Sequence, residues 1–425
     1  MTNQLKRLCK LLSLGELVHP IIELPKGGHR TFKIETTQGM YAIKQYGYGT
    51  VKTEKQVQRT ARSEEVALLV AQSLSATCNN FSVVHGIKVN GNIIHELDGE
   101  HYVVFNWSSG VNIQNAEIGQ GKMHLLGSAL FAIHSTDYSS LFCNEQSALV
   151  RAFRTEQFPI AEQNISPALD LNLVPANWDN LVLKLKDTTP SAPWMHLLEK
   201  ESSKLQKLNK QSTVAHTIIA MHDIVVTHPD ISPSNILWKD DKPHIIDWEY
   251  TGKGHVCMRN RMLAVLSSAE RLSRKTGGSL DIDKVFAFID GYAQCYKITP
   301  LFENYWELVV NAVIYKRVGT IETLLKRYLK LNQKRETYEI EKAKLTKHLQ
   351  WQFEEFGKWI KSLAQVKKRL TETYRPEKYN PTGNVSNALF VSHILADYLE
   401  TKAELQKLRD DYSEINEKLS RPSGT

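Results

Sequence analysis

Residues 227–249 constrain the fold more than any other part of this chain. They read Thr227-His228-Pro229-Asp230-Ile231-Ser232-Pro233-Ser234-Asn235-Ile236-Leu237-Trp238, then Asp240-Asp241-Lys242, then Pro243-His244-Ile245-Ile246-Asp247-Trp248-Glu249. Pro229 and Pro233 exclude a helix at the start. Two short apolar runs flank the Asp-Asp-Lys turn, so the stretch predicts loop, strand, turn, strand. Such a hairpin brings Asn235, which opens the first strand, close to Asp247, which ends the second, with Asp230 nearby. Asn and Asp offer hard oxygen ligands of the kind that suit Mg²⁺. A further carboxylate beside that pair can orient a hydroxyl nucleophile and accept its proton. Loop capping is the plainer use of any one Asp or Asn. The spacing of the whole set is what points to chemistry.

The stretch resembles the catalytic and metal loops of the aminoglycoside phosphotransferase / choline kinase-like family, small-molecule kinases with a protein-kinase-like fold. The family pattern, H-G-D-x-x-x-x-N followed by strand, turn and I-D-W/F-E/D, stands here as H-P-D-I-S-P-S-N and I-I-D-W-E. His228, Asp230, Asn235 and Asp247 match; Pro229 replaces the usual glycine. The resemblance implies ATP and Mg²⁺ as cofactors and a small-molecule hydroxyl as acceptor. Asp230 would be the catalytic base, His228 a support for the loop, and Asn235 and Asp247 the metal ligands. It extends over roughly Leu24 to Tyr315, about two-thirds of the chain.

The same resemblance assigns nucleotide-binding positions upstream. Lys44, on the alternating run Met40–Tyr46, is the strand lysine for the α/β-phosphates. Glu65, or Glu64 beside it, is its partner on the following helix. Gly27 and Gly28, between Lys26 and Arg30, form the phosphate turn. Asn106 and Trp107 lie in the segment linking the lobes, where the backbone would meet adenine. His134, ending the helix Lys122–His134, reads as a buried structural histidine. Phe288-Ile289-Asp290-Gly291-Tyr292 resembles a late helix of the fold. One departure is that the family's Asp about ten residues past the metal loop is missing; Asn260 stands ready to cap a helix instead, flanked by Arg259 and Arg261.

Elsewhere the pattern is that of an α+β chain. Residues 1–20 read as a short helix. A hairpin follows (Phe32–Glu35, turn at Thr37-Gln38-Gly39, Met40–Tyr46), then a helix over 60–74. Short strands at 83–89 and 93–96 surround Asn90-Gly91-Asn92, and Tyr102–Phe105 adds another. Beyond residue 212 the chain reads as a helix over 213–221, the motif hairpin, and helices to 370. The expected division is a β-rich N-lobe (1–106), an α-rich C-lobe (107–375) with an insertion at 145–212 where acceptor-binding helices belong, and a helical tail (376–425). In the tail, Val391, Tyr398, Leu405, Tyr412 and Leu419 share one heptad position, and Ile394, Leu408 and Ile415 the other. That stripe either pairs two copies into a homodimer or packs back on the lobe.

Composition narrows the class. Apolar residues make up 42% and charged residues 23%, and no apolar run approaches the length of a membrane span. No signal peptide is read at the N-terminus. Five scattered cysteines without CxxC spacing argue against a disulfide framework or zinc site and fit a reducing, cytoplasmic compartment. The net charge of +7 is uneven: residues 316–378 hold 17 Lys and Arg against 8 Asp and Glu. A basic stretch of this kind meets nucleic acid, anionic lipid or a phosphorylated ligand, or is a solvated helix face. Its aromatics are spaced as helix core rather than as a stacking platform, which argues against nucleic acid. A protein kinase is disfavoured by the lack of Asp-Phe-Gly and Ala-Pro-Glu elements. A nucleotide-binding assembly module working through the tail is the alternative to an enzyme.

Overall fold

The computed structural model describes residues 2–24, 30–46, 68–75, 81–136, 178–220, 223–228, 230–248, 258–301, 304–332 and 339–374. Met1–Ile298 and Trp306–Glu372 form one compact unit; Thr299–Tyr305 and Thr373–Thr425 belong to a second. The expected Gly27, Gly28, Glu64, Glu65 and the 389–419 heptads lie outside the described residues, as does 145–177 of the insertion.

The N-terminal part is a five-stranded antiparallel sheet. It comprises β1 (Ile22–Glu23), β2 (Arg30–Thr36), β3 (Gly39–Gln45), β5 (Ile94–Leu97) and β6 (Glu100–Asn106), in the order β1-β2-β3-β6-β5. The alternation read in the sequence decides its faces. Phe32, Ile34, Tyr41, Ile43, Tyr102 and Val104 turn to one side and are buried. Helix α1 (Thr2–Leu11) covers that side with Leu5 and Leu8. Each such aliphatic side chain contributes roughly 1.5–3 kcal/mol on burial. The opposite face carries Lys44, paired in register with Val103.

Two local expectations are corrected. The first helix stops at Leu11, not near residue 20, because Ser13 and Gly15 take positive φ (54° and 88°). The chain then turns to hydrogen-bond with β2, through Val18 N–H to Glu35 O and Thr37 N–H to Glu16 O (both 2.9 Å). The strand expected over 83–89 shrinks to β4 (Ser82–Val83), which pairs in parallel with β9 (Lys242–Ile245) of the motif hairpin, while Gly86 and Ile87 beyond it bridge to Phe105 and Val104 of the N-terminal sheet. The short apolar run was legible, but the partner of its first residues lies far along the chain, at His244 and Ile245.

The C-terminal part is mainly helical. It contains α2 (Gln120–Ser135), α3 (Trp178–Thr188), α4 (Met195–Ala220), α5 (Arg261–Leu272), α6 (Ile282–Ala293), α7 (Tyr305–Asn332) and α8 (Glu339–Thr373). The helix expected at 213–221 is the end of the longer α4. Between helices lie β7 (Ile224–Val226), the hairpin β8 (Ile236–Lys239) and β9 (Lys242–Ile245), and β10 (Met258–Asn260), which pairs antiparallel with β7. β10 was not expected from the sequence; three residues give too short a pattern to read. Helices α2 and α6 meet backbone to backbone. A Cβ on Gly127 would lie 2.0 Å from Phe288 O, and one on Gly291 2.0 Å from His124 O. Ser128 Oγ donates to Gly291 O across the same crossing (2.9 Å). Among the described residues no helix is long and apolar enough to cross a membrane.

Candidate functional site

The motif folds as its spacing requires. β8 and β9 pair Ile236 with Ile245 and turn through Asp240 and Asp241, both at positive φ (50° and 57°), the geometry of a tight hairpin turn. Ile246 N–H donates to Asn235 O (3.0 Å), so Asn235 and Asp247 sit at neighbouring positions across the hairpin end. Pro233–Asn235 is a single 3-10 turn, and Asn235 Nδ2 donates to Asp230 O (2.9 Å). That bond fixes the amide and ties the start of the loop to its end.

His228 is a latch. Its Nε2–H donates to Ile246 O (2.9 Å), and its Nδ1 accepts from Asp230 N–H (3.0 Å). The ring is buried, with its edge toward Trp248 (4.8 Å between centroids). Burial pushes its pKa down to about 4, outweighing the opposing pull of the Ile246 carbonyl and Asp247. With one nitrogen donating and the other accepting, the ring is neutral and ties the backbone at Asp230 to the hairpin end at Ile246.

A second buried histidine braces the loop from behind. His134, at the end of α2, contacts Tyr292 OH through Nδ1 and Thr227 Oγ1 through Nε2 (both 2.9 Å). Arg261 Nη1 donates to the Tyr292 oxygen (3.2 Å) and Arg261 Nε to Asp223 (2.9 Å). The phenol, accepting from Arg261, donates to Nδ1, leaving Nε2–H for Thr227. Burial, aided by the Arg261 charge, lowers the His134 pKa to about 3. His134 is therefore the structural histidine expected. Asn260 caps α5, accepting from Leu263 N–H (2.9 Å), and Arg261 is committed to Asp223.

Lys44 Nζ reaches Asp247 Oδ1 at 2.6 Å, joining the N-terminal sheet to the hairpin end across 203 residues of sequence. Asp247 has φ +61°, a conformation that costs a non-glycine residue on the order of 1 kcal/mol. The carboxylate is thus turned toward the lysine by a backbone that local preference would not choose. By strand register Lys44, Val103 and Trp107 share one face and Asn106 the other. Trp107 N–H is committed to Met40 O (3.0 Å), and its ring lies under Lys33 Nζ (4.6 Å). Asn106 is exposed. Among the described residues no three His, Cys, Asp or Glu side chains gather as a metal cage. A cation here would take Asn235 and Asp247 and complete its shell from phosphate and water oxygens, as Mg²⁺ commonly does.

Two positions that contact the motif escaped the sequence. Arg271, on α5, forms an ion pair with Asp230; nothing in its helical surroundings marks it. Asn112 Nδ2 donates to Pro233 O and Ile236 O (2.9 Å each), clamping the 3-10 turn from the stretch that follows β6. Asp230 opens onto a cavity of about 340 Å³, lined also by Ser232, Arg271, Arg274, Lys316 and Arg317.

No protein-family model matches the sequence, and no curated protein matches it. Solved structures do match. A spectinomycin phosphotransferase crystallised with ADP and spectinomycin is 14% identical; the match covers 84% of this chain and 98% of that one, with a TM-score of 0.54. An aminoglycoside phosphotransferase from Alicyclobacillus acidocaldarius is also 14% identical, over 85% and 96% of the two chains, with a TM-score of 0.52. Over most of its length, the chain has the α+β, kinase-like fold of the aminoglycoside phosphotransferases.

Proposed function

We propose that this protein transfers the γ-phosphoryl group of ATP to a hydroxyl of a small molecule. The observation that carries the reading is the Lys44–Asp247 pair at the end of a hairpin that also presents Asn235 and Asp230. Phosphoryl transfer needs positioning and charge neutralisation more than covalent help from the protein. Lys44 offers its ammonium to the nucleotide phosphates. Asn235 and Asp247 supply oxygen donors for Mg²⁺, which neutralises phosphate charge when bound. Asp230 orients the acceptor hydroxyl and takes its proton as the oxygen bonds to the γ-phosphorus and the bridging bond to ADP breaks. His228 and His134 hold the loop and move no proton. A phosphotransferase of the same fold, held with ADP and spectinomycin together, supports a site for a nucleotide and a small acceptor.

Glu65 as partner of Lys44, Gly27 and Gly28 as the phosphate turn, and Asn106 and Trp107 beside the adenine complete this reading; since Trp107 N–H is given to Met40 O, the adenine contact there falls to other atoms of the two residues. We place the activity in the cytoplasm, on cysteine usage, and assign the 389–419 heptads to self-association. The test is ADP release with Mg²⁺ and a pool of cellular metabolites. Asp230→Ala should lower turnover at least about 10³-fold, the upper range of a lost general base, while ATP binding stays measurable. A variant with near-full rate would refute the role of Asp230. Nucleotide binding with no turnover in the wild type would favour the assembly-module alternative.

A further inference from the structure

We infer that the acceptor carries an anionic group, a phosphate monoester or a carboxylate, bound by the arginine- and lysine-lined cavity beside Asp230. The inference rests on the kinase reading above and names its substrate class. Among the described residues, four cationic side chains, Arg271, Arg274, Lys316 and Arg317, and two carboxylates, Asp230 and Glu270, line the cavity. Both carboxylates are already engaged by cations. Arg271 pairs with Asp230, and Arg274 binds Glu270 in a two-pronged contact (Nε to Oε1 2.6 Å, Nη2 to Oε2 2.9 Å). Trp359 Nε1 also donates to Glu270 Oε1 (2.6 Å), so Glu270 is held by two partners, Arg274 and Trp359. Glu355, the other carboxylate near Arg317, accepts from Gly277 N–H (3.1 Å) and lies outside the lining.

Arg317 is the telling residue. It is only 6% exposed, and its Nε and Nη2 are buried without a hydrogen-bond partner. Its guanidinium stacks on Trp359 (4.8 Å) and lies near Trp351 (5.7 Å). A buried guanidinium with idle N–H groups is costly unless something fills them. Its planar fork matches the two oxygens of a carboxylate or phosphate. Burial lowers the pKa of Arg271 and Arg317 to about 10, so both stay charged at neutral pH. The cavity is also where part of the basic 316–378 stretch is put to use. A polycationic acceptor would meet repulsion here, since like charges brought together without water between them are strongly disfavoured.

The acceptor's charge is read by fractionating a cellular metabolite pool on an anion-exchange resin and measuring acceptor-dependent ADP release from each fraction with the full chain. Activity should reside in the retained fraction. Phosphatase treatment of that fraction separates the two sources: loss of activity identifies a phosphate monoester, survival a carboxylate. Lys316→Gln and Arg317→Lys should each raise the KM for the retained fraction about tenfold, the loss of one charge-assisted contact. Arg317→Lys keeps the buried charge and removes only the fork; Lys316→Gln covers the case in which it does not fold. Activity confined to the flow-through, or an unchanged KM in both folded variants, would overturn the inference and leave the kinase reading standing. ADP release from no fraction would overturn the kinase reading and this inference with it.

Discussion

Acid should unfold this protein steeply, and His228 and His134 are the reason. Both are buried and neutral, with pKa values of about 4 and about 3, against about 6.5 in an unfolded chain. The folded values lie below the unfolded ones, so between pH 6.5 and 4 the unfolded state binds more protons and stability falls as pH falls. The stability is fully present above pH 6.5. Each histidine contributes a slope approaching 1.4 kcal/mol per pH unit, so the pair gives about 3 kcal/mol per unit near pH 5. From pH 7 to pH 4.5 this pair loses roughly 5 kcal/mol, comparable with the whole stability of an ordinary domain, and His216, lowered to about 4 by burial, adds roughly 2 kcal/mol more. The geometry explains why His228 resists protonation. A proton on Nδ1 would face the Asp230 N–H that now donates to it, so charging the ring breaks the latch around Asp230. The assay is urea unfolding across pH 7 to 4.5 for wild type, His228→Gln and His134→Gln. Glutamine can donate and accept but does not titrate, so each variant should lose about a third of the histidine slope, because His216, also held down to about 4 by burial, supplies the remaining third. A midpoint that stays flat down to pH 5, or variants with the wild-type slope, would refute the reasoning.

Other outcomes follow from the same contacts. Gly127→Ala should destabilise by about 3 kcal/mol or more, because its Cβ would collide with Phe288 O across the α2–α6 crossing. Gly319→Ala in α7, where nothing lies within 4 Å of the new atom, should stabilise by about 1 kcal/mol through helix propensity; urea midpoints that move in the same direction would contradict this. Lys44→Met should weaken ATP binding or turnover at least about tenfold with little loss of stability, since its pair with Asp247 is partly exposed; an unchanged KM and kcat for ATP would remove Lys44 from the site.

The motif was legible because its parts are close in sequence. Pro229 and Pro233 forbid a helix, two apolar runs flank a turn of aspartates, and the hairpin that results must bring Asn235 beside Asp247. The strand alternation around Lys44 likewise fixed which residues share its face. The helix reading of residues 1–20 failed because positive φ at Ser13 and Gly15 and pairing with β2 override local preference. β4 and β10 were missed or misjudged because very short strands are defined by partners, and those partners are remote in the chain.

What the sequence by itself determined was therefore the α+β pattern, the hairpin, and the chemical types gathered at its end. Only the tertiary structure decided what those types face. Lys44 meets Asp247 across 203 residues, Arg271 meets Asp230 from a helix with no distinguishing pattern, and Arg274, Lys316 and Arg317 converge on one cavity from α7 and the turn after α5. Local periodicity fixes which way a side chain points relative to its own element. Which charge it then meets depends on how the elements close on one another, and that is set by long-range packing such as the glycine crossing of α2 and α6.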